Sequence, residues 1–120
     1  KGVDVIYDPV GGHFSELALR AIAWKGRHLV IGFANGEIPK IPINLILLKG
    51  ASIVGVFWGA FAQKEPKKSL ENIKELLTWF ATGKLNPHID KTYALQNATK
   101  ALEDMMQRKV KGKIVIDMTI

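Results

Sequence analysis

The order of apolar and polar positions predicts alternating strands and helices in the first half of the chain. Three short, nearly continuous apolar runs are typical of parallel strands covered on both faces: residues 3–7, 27–31 and 52–57. Apolar residues between positions 14 and 22 recur at helical spacing, and Gly26 is placed to end that helix. A short helix is predicted over residues 43–49, closed by Gly50. The pattern predicts an α/β fold whose crossovers are right-handed.

The pattern changes after a polar segment, residues 63–68, which contains Pro66 and is typical of a hinge. Apolar positions from Leu70 to Phe80 then predict an amphipathic helix that Ser69 would cap. The remaining predicted elements are a strand, a helix and a strand: residues 92–95, 98–106 and 113–116. We therefore expect two parts, residues 1–63 and 64–120, the second of α+β character.

Glycine-bearing turns follow all three predicted strands of the first part: residues 10–12, 32–34 and 57–59. Ligands of open parallel sheets bind outside the carboxyl ends of the strands, where glycine allows close approach of the backbone. Ordinary strand-to-helix turns are the alternative interpretation. Phe57 and Trp58 are candidates for the wall of a ligand pocket, with simple packing as the alternative. The chain contains neither a G-x-G-x-x-G motif nor a P-loop.

Charge and composition narrow the function classes. Seventeen Lys and Arg against eleven Asp and Glu give a net charge of +6, without the clustered, aromatic-interleaved pattern of a nucleic-acid domain. The absence of cysteine excludes disulfides, thiolate metal sites and a cysteine nucleophile within these residues, and it fits a cytoplasmic location. The apolar runs are too short to span a membrane, so a membrane is not an expected partner. Because the charge is not clustered, nucleic acid is not an expected partner either.

No side chain is predicted to be catalytic or to bind metal. The three histidines fall on different predicted elements and are expected at the surface or in turns: His13, His28 and His88. Asp8 ends a strand, where catalytic carboxylates occur, but Pro9 beside it favours a role in the turn. The serines lack the context of a nucleophile elbow.

Four segments together carry a resemblance that spans the chain: residues 5–12, 26–34, 53–59 and 112–116. In order and spacing they resemble the medium-chain dehydrogenase/reductase superfamily. Within it, the chain is most similar to the zinc-independent, zeta-crystallin-like NADPH:quinone oxidoreductases. The resemblance implies hydride transfer from NADPH to a quinone or an activated alkene.

The resemblance also implies a position within a longer protein. Residues 1–63 would be the C-terminal half of a Rossmann-type nucleotide-binding domain, and residues 64–120 would return to a catalytic domain. A strand that begins near residue 3 likewise suggests the C-terminal portion of something longer. A fragment of this kind would lack the phosphate loop, would be inactive alone, and would bind NADPH weakly or not at all.

The resemblance assigns the cofactor-binding residues. Val10 would lie near the adenosine ribose, while Gly32, Phe33 and Ala34 would line the nicotinamide side through their backbone. The carboxamide would be met by Val56, Phe57 and Trp58. The pyrophosphate would be approached by a basic residue, Lys113. A solvated charge at a strand edge is the alternative for the lysine.

The chain is also expected to self-associate. The resemblance implies a homodimer through the strand of residues 52–57, and an apolar edge strand needs such cover. The alternative function is non-enzymatic: a truncated Rossmann remnant that acts as a self-associating module.

Overall fold

The computed structural model describes residues 1–119 and has two compact units, Lys1–Pro66 and Lys67–Ile120. The division falls inside the polar segment that separates the two halves of the sequence pattern. The first unit alternates strands and helices along the chain: β1 (Val3–Asp8), α1 (His13–Arg20), β2 (Ile22–Val30), α2 (Asn44–Lys49), β3 (Ser52–Gly55) and α3 (Trp58–Lys64). The predicted α/β class is confirmed.

The strands of the first unit form one parallel sheet in the order β1-β2-β3. At its carboxyl edge Asp8 pairs with Val30, and Val30 pairs with Gly55. The three strand ends therefore lie side by side, and the loops that follow them share one edge of the sheet.

The first helix ends earlier than its periodicity predicts. The structure ends α1 at Arg20, and Ile22 already pairs with Val3 in the sheet. The ladder is then interrupted and resumes where Val5 pairs with Arg27. Gly26 lies in this irregular stretch and does not end the helix. Strand pairing overrides the apolar spacing, because Ile22 is almost fully buried beside β1.

The end of the third strand is also different. β3 ends at Gly55, so Val56 and Phe57 lie outside it, although the Val56 amide still donates to the Val30 carbonyl at 2.9 Å. Trp58 is the first residue of α3, a helix that the pattern does not predict. The predicted cap is wrong as well: α4 begins at Pro66, whose fixed φ suits a helix start, and Ser69 lies within it.

The second unit contains the predicted α+β elements: α4 (Pro66–Ala81, its first residue belonging to the first unit), β4 (Ile89–Ala94), a 3₁₀ turn (Leu95–Asn97), α5 (Ala98–Met106) and β5 (Lys113–Asp117). β4 and β5 pair in parallel, with α5 in the crossover between them. Tyr93 and Ala101 are buried here, and the Tyr93 hydroxyl donates to Asp104 Oδ2 at 2.6 Å.

Burial in the first unit is concentrated between α1 and β2. Leu19 and Ile22 are its buried apolar residues, and they share the interior with polar side chains. In contrast, every residue of β3 is exposed, and Val3, Val5 and Tyr7 of β1 are exposed too. The prediction that these strands are covered on both faces is therefore wrong within this chain. No helix in residues 1–119 is long and apolar enough to cross a membrane.

Candidate functional site

A cleft of about 400 Å³ opens at the carboxyl ends of β2 and β3. It is lined by residues 30–33 and 55–57, none of which carries a charged side chain. Four of the predicted cofactor residues are among them: Gly32, Phe33, Val56 and Phe57. A cleft lined by apolar and uncharged residues suits a flat ring.

Two glycines, Gly32 and Gly55, line this cleft. A Cβ at Gly55 would meet no atom within 4 Å, and one at Gly32 would meet only the Pro9 carbonyl at 3.4 Å. Phe33 and Val56 remain partly exposed, at 42% and 38%. A planar group could therefore contact both loops closely, since no side chain projects from either glycine.

A second, smaller cavity of about 300 Å³ lies at the carboxyl end of β1, against α1. Val10 lines it together with neighbours from the strand and the helix, namely residues 6–9, Phe14 and Ala18. The two cavities belong to successive strand ends of the same sheet. The predicted ribose residue and the predicted nicotinamide residues thus lie along one edge.

Three predicted residues lie outside these cavities. Ala34 directly follows the lining residues and is exposed, and Trp58 is 66% exposed at the start of α3. Lys113 belongs to the second unit, where it begins β5 and its amide donates to the His88 carbonyl at 3.0 Å. The predicted cofactor contacts of these three residues therefore remain predictions.

A buried polar cluster lies directly behind the loop that follows β1. The Asp8 carboxylate accepts hydrogen bonds from the amides of Val10 and Gly11 at Oδ1, at 3.0 and 2.9 Å. At Oδ2 it accepts from Ser15 Oγ at 2.5 Å and lies 3.0 Å from His28 Nε2. Asp8, Ser15 and His28 are all buried, so the expectation of a surface or turn histidine is wrong for His28.

The cluster fixes the charge of Asp8. Burial alone raises the pKa of this carboxyl, but hydrogen bonds from Gly11, Ser15 and Val10, with the charge of His28, together hold it below its ordinary value. An ionised carboxylate can only accept hydrogen bonds, so His28 Nε2 carries a proton and donates a hydrogen bond to Asp8 Oδ2. The other ring nitrogen, Nδ1, is buried and has no hydrogen-bond partner among residues 1–119.

This cluster is not a nucleophilic triad. Ser15 and His28 both approach the same oxygen of Asp8, so the imidazole is not placed to take a proton from the serine. No group of three or more His, Asp or Glu side chains in the described part of the chain could hold a metal ion. Through Asp8, the cluster holds two backbone amides of the loop after β1.

Backbone hydrogen bonds connect the loop after β1 to the loop after β2. The Asp8 carbonyl accepts from the amides of Ile31 and Gly32, at 2.9 and 3.4 Å. The carbonyls of Pro9 and Val10 accept from the amides of Ala34 and Asn35, at 3.0 and 2.9 Å, and the Gly12 amide donates to the backbone carbonyl of Glu37 at 3.0 Å. The first loop is thus a support for the wall of the cleft. In the sequence, Asp8 followed by Pro-Val-Gly-Gly indicates this turn, but nothing indicates that His28 is buried against it.

Comparison with known proteins places the chain in a family. Residues 1–116 match the family model described as zinc-binding dehydrogenase. Among curated proteins, a quinone oxidoreductase-like protein 2 homolog from Nematostella vectensis is 40% identical over 117 residues, 97% of this chain. Prostaglandin reductase-3 from Bos taurus is 32% identical over 136 aligned residues, 98% of this chain.

Solved structures confirm the fold. The native structure of a mycobacterial protein complexed with NADPH superimposes with a TM-score of 0.82 at 22% identity, covering 96% of this chain and 35% of that one. The chain spans about a third of the length of the curated relatives that it matches, 32% and 35% of the two proteins named above.

Proposed function

Since the chain belongs to the zinc-binding dehydrogenase family, within the quinone oxidoreductase group that its sequence resembles, we propose that it forms the nicotinamide side of an NADPH-dependent reductase. The protein would transfer hydride to a quinone or an activated alkene. The observation that carries this proposal is the uncharged cleft at the carboxyl ends of β2 and β3.

The relatives' names support the same reaction class. Two acceptor types appear among them, a quinone and a prostaglandin, and a structural neighbour was solved with NADPH. For this protein we propose only the class of substrate, a quinone or an activated alkene.

The residues of the cleft fit the nicotinamide end of the cofactor. NADPH supplies the hydride when it is bound. The backbone around Gly32, Phe33 and Ala34 would orient one side of the ring, and that of Val56 and Trp58 would meet the carboxamide. Phe57, which is 79% exposed, would exclude water from the reacting face.

The phosphates need other groups. No lining residue of either cavity carries a positive charge, and the chain has no glycine-rich phosphate motif. Lys113 is the proposed pyrophosphate contact from within this sequence. We therefore propose that this chain alone binds NADPH weakly or not at all and is inactive, and that a longer parent protein completes the site.

Zinc has no fitting site among the described residues. The family description names zinc, but residues 1–119 offer no cluster of ligands for it and contain no cysteine. No step of the proposed reaction is assigned to a metal held by these residues.

A second candidate function rests on the exposed sheet edge. All four residues of β3 are exposed, as expected of a strand that pairs with another copy. The chain could then be a self-associating module without catalytic activity. A homodimer through residues 52–57 is compatible with both functions. We propose a cytoplasmic location for either, with which the absence of cysteine from these residues is compatible.

The test is to fill the cleft. The substitution Val56→Trp, made in the natural-length protein, places an indole where the nicotinamide ring would bind. We expect the KM for NADPH in quinone reduction to rise at least about tenfold. Val5→Trp is the matched control, because Val5 is similarly exposed, at 45% against 38%, and lines neither cavity. Equal kinetics in the two variants would contradict the assigned cleft. A stable dimer that shows no NADPH binding would favour the self-associating module.

A further inference from the structure

The buried Asp8 cluster is outside the cleft, yet it is connected to it. Four hydrogen bonds converge on one carboxylate, from β2, from α1 and from two amides of its own loop. A carboxylate has about four acceptor positions, so this one is fully used. Such an arrangement fixes both the direction of the side chain and the path of the loop.

The fixed loop in turn supports the cleft wall. The carbonyl of Asp8 holds the amides of Ile31 and Gly32, and the next two carbonyls hold Ala34 and Asn35. Gly11 is packed so closely that an added Cβ would lie 2.8 Å from Phe33 Cδ1. Phe33 therefore rests directly on the loop that Asp8 shapes.

We propose that Asp8 is a positioning residue for the cofactor cleft, acting through residues 31–35, with Ser15 and His28 as its supports. The inference rests on the proposed function, because it treats the cleft as the nicotinamide site. Asp8 touches no reacting atom. It sets the position of the Gly32 and Phe33 backbone, so its loss should weaken cofactor binding more than it slows turnover.

The test uses two variants that remove parts of the cluster while keeping side-chain size nearly constant. Ser15→Ala removes one donor, and Asp8→Asn removes the charge from the shared acceptor. Ser69→Ala is the matched control, because Ser69 is also a buried helical serine, at 6% exposure against 2%, and belongs to the second unit. Thermal melts establish which variants are folded at the assay temperature.

Two readouts are measured on the protein as isolated from its source. The first is hydrogen exchange at the amides of residues 31–35, which we expect to rise about tenfold in Ser15→Ala and further in Asp8→Asn, because hydrogen bonds to a charged group are lost. The second is the split between KM for NADPH and kcat. We expect KM to rise several-fold while kcat changes less than twofold, with Ser69→Ala unchanged in both.

The outcomes separate this inference from the proposed function. If wild-type protein uses NADPH, unchanged exchange at residues 31–35, or an unchanged KM despite faster exchange, would overturn the positioning role. Exchange that rises equally throughout the first unit would also overturn it, since Asp8 would then be only a general stabiliser. If the wild-type protein neither binds nor oxidises NADPH, the proposed function itself is wrong, and the positioning role falls with it.

Discussion

At the scale of single residues, hydrogen bonds decide the charge of two aspartates. Asp8 accepts four of them in the first unit. Asp104 in the second unit accepts from Tyr93, which lowers its pKa against the opposing effect of burial, with help from nearby lysines such as Lys91 at 3.8 Å. Both carboxylates therefore favour the folded state in their ionised form.

Stability should depend on acid through Asp8. Its folded pKa lies below the ordinary value of 3.8, so its contribution is present above that pH and is lost as the pH falls through the folded pKa. We expect Asp8→Asn to lower the free energy of unfolding by roughly 2 kcal/mol at pH 7. Urea unfolding at pH 7 and pH 3 should show the difference from wild type shrinking in acid. A difference that is constant with pH would contradict the charged-acceptor account.

Tyr93 should titrate late in alkali. The hydrogen bond to Asp104, with burial and the charges of Asp104 and Asp90, raises the pKa of Tyr93 from 10.0 to about 12. Its stabilisation is therefore complete below pH 10 and lost as the pH rises through 12. Tyrosinate absorbance of wild type minus Tyr93→Phe should show this late step, and Asp104→Asn should move it to lower pH. A step that stays in place in Asp104→Asn would exclude the proposed cause.

Contacts of single side chains were the hardest feature to predict from the sequence. The turn role of Asp8 followed from Pro9 and the two glycines after it, and the structure confirms an Asx-type turn. The burial of His28 did not follow, because only the parallel pairing of β1 with β2 brings residues 8 and 28 together. Contacts between residues far apart in sequence have no local signal.

At the scale of elements, periodicity predicted the strands and most helices but misplaced several ends. Ile22 fits a helical stripe and still joins β2, because burial against β1 outweighs local preference. α3 was missed because Gly59, next to Trp58, is more typical of a turn than of a first helical turn. The strand-to-loop edge, which carries the candidate site, was predicted from glycine positions.

The tight loop after β1 gives a prediction at this scale. Gly11 and Gly36 both have positive φ, +72° and +89°, so alanine is strained at either position. Only at Gly11 would the new Cβ also collide with Phe33 and approach the Glu37 carbonyl at 3.2 Å. We expect Gly11→Ala to be about 1–3 kcal/mol less stable than Gly36→Ala in urea unfolding. An equal loss of unfolding free energy in the two variants would show that the loop rearranges to accommodate the new Cβ at residue 11 without cost.

At the scale of the whole molecule, exposed apolar surface is the dominant feature. The faces of β1 and β3 and much of α4 present large apolar side chains, among them Tyr7, Ile53 and Leu77, which is unusual for a free surface. The family was predicted from the order of four glycine-bearing segments, and the comparisons confirm it. Periodicity alone marks a buried face and not its occupant, so the expected homodimer through residues 52–57 came from the family resemblance and not from the apolar pattern.

The proposed homodimer has its own test. Ile53 lies on β3 and is 43% exposed, so Ile53→Lys would place a charge on the edge that is proposed to pair. We expect a dimer in wild type and a monomer in this variant by light scattering. Val3→Lys is the control, because Val3 is 49% exposed on the other edge strand, β1. A dimer that survives Ile53→Lys but not Val3→Lys would place the interface elsewhere.

The nicotinamide of NADPH is proposed to bind in the cleft at the ends of β2 and β3. The most direct measurement is a calorimetric titration of NADPH into the protein as isolated from its source, repeated with Val56→Trp and Val5→Trp. We expect Val56→Trp to raise the Kd at least about tenfold and Val5→Trp to leave it unchanged. Binding that is equally tight in all three proteins would contradict it.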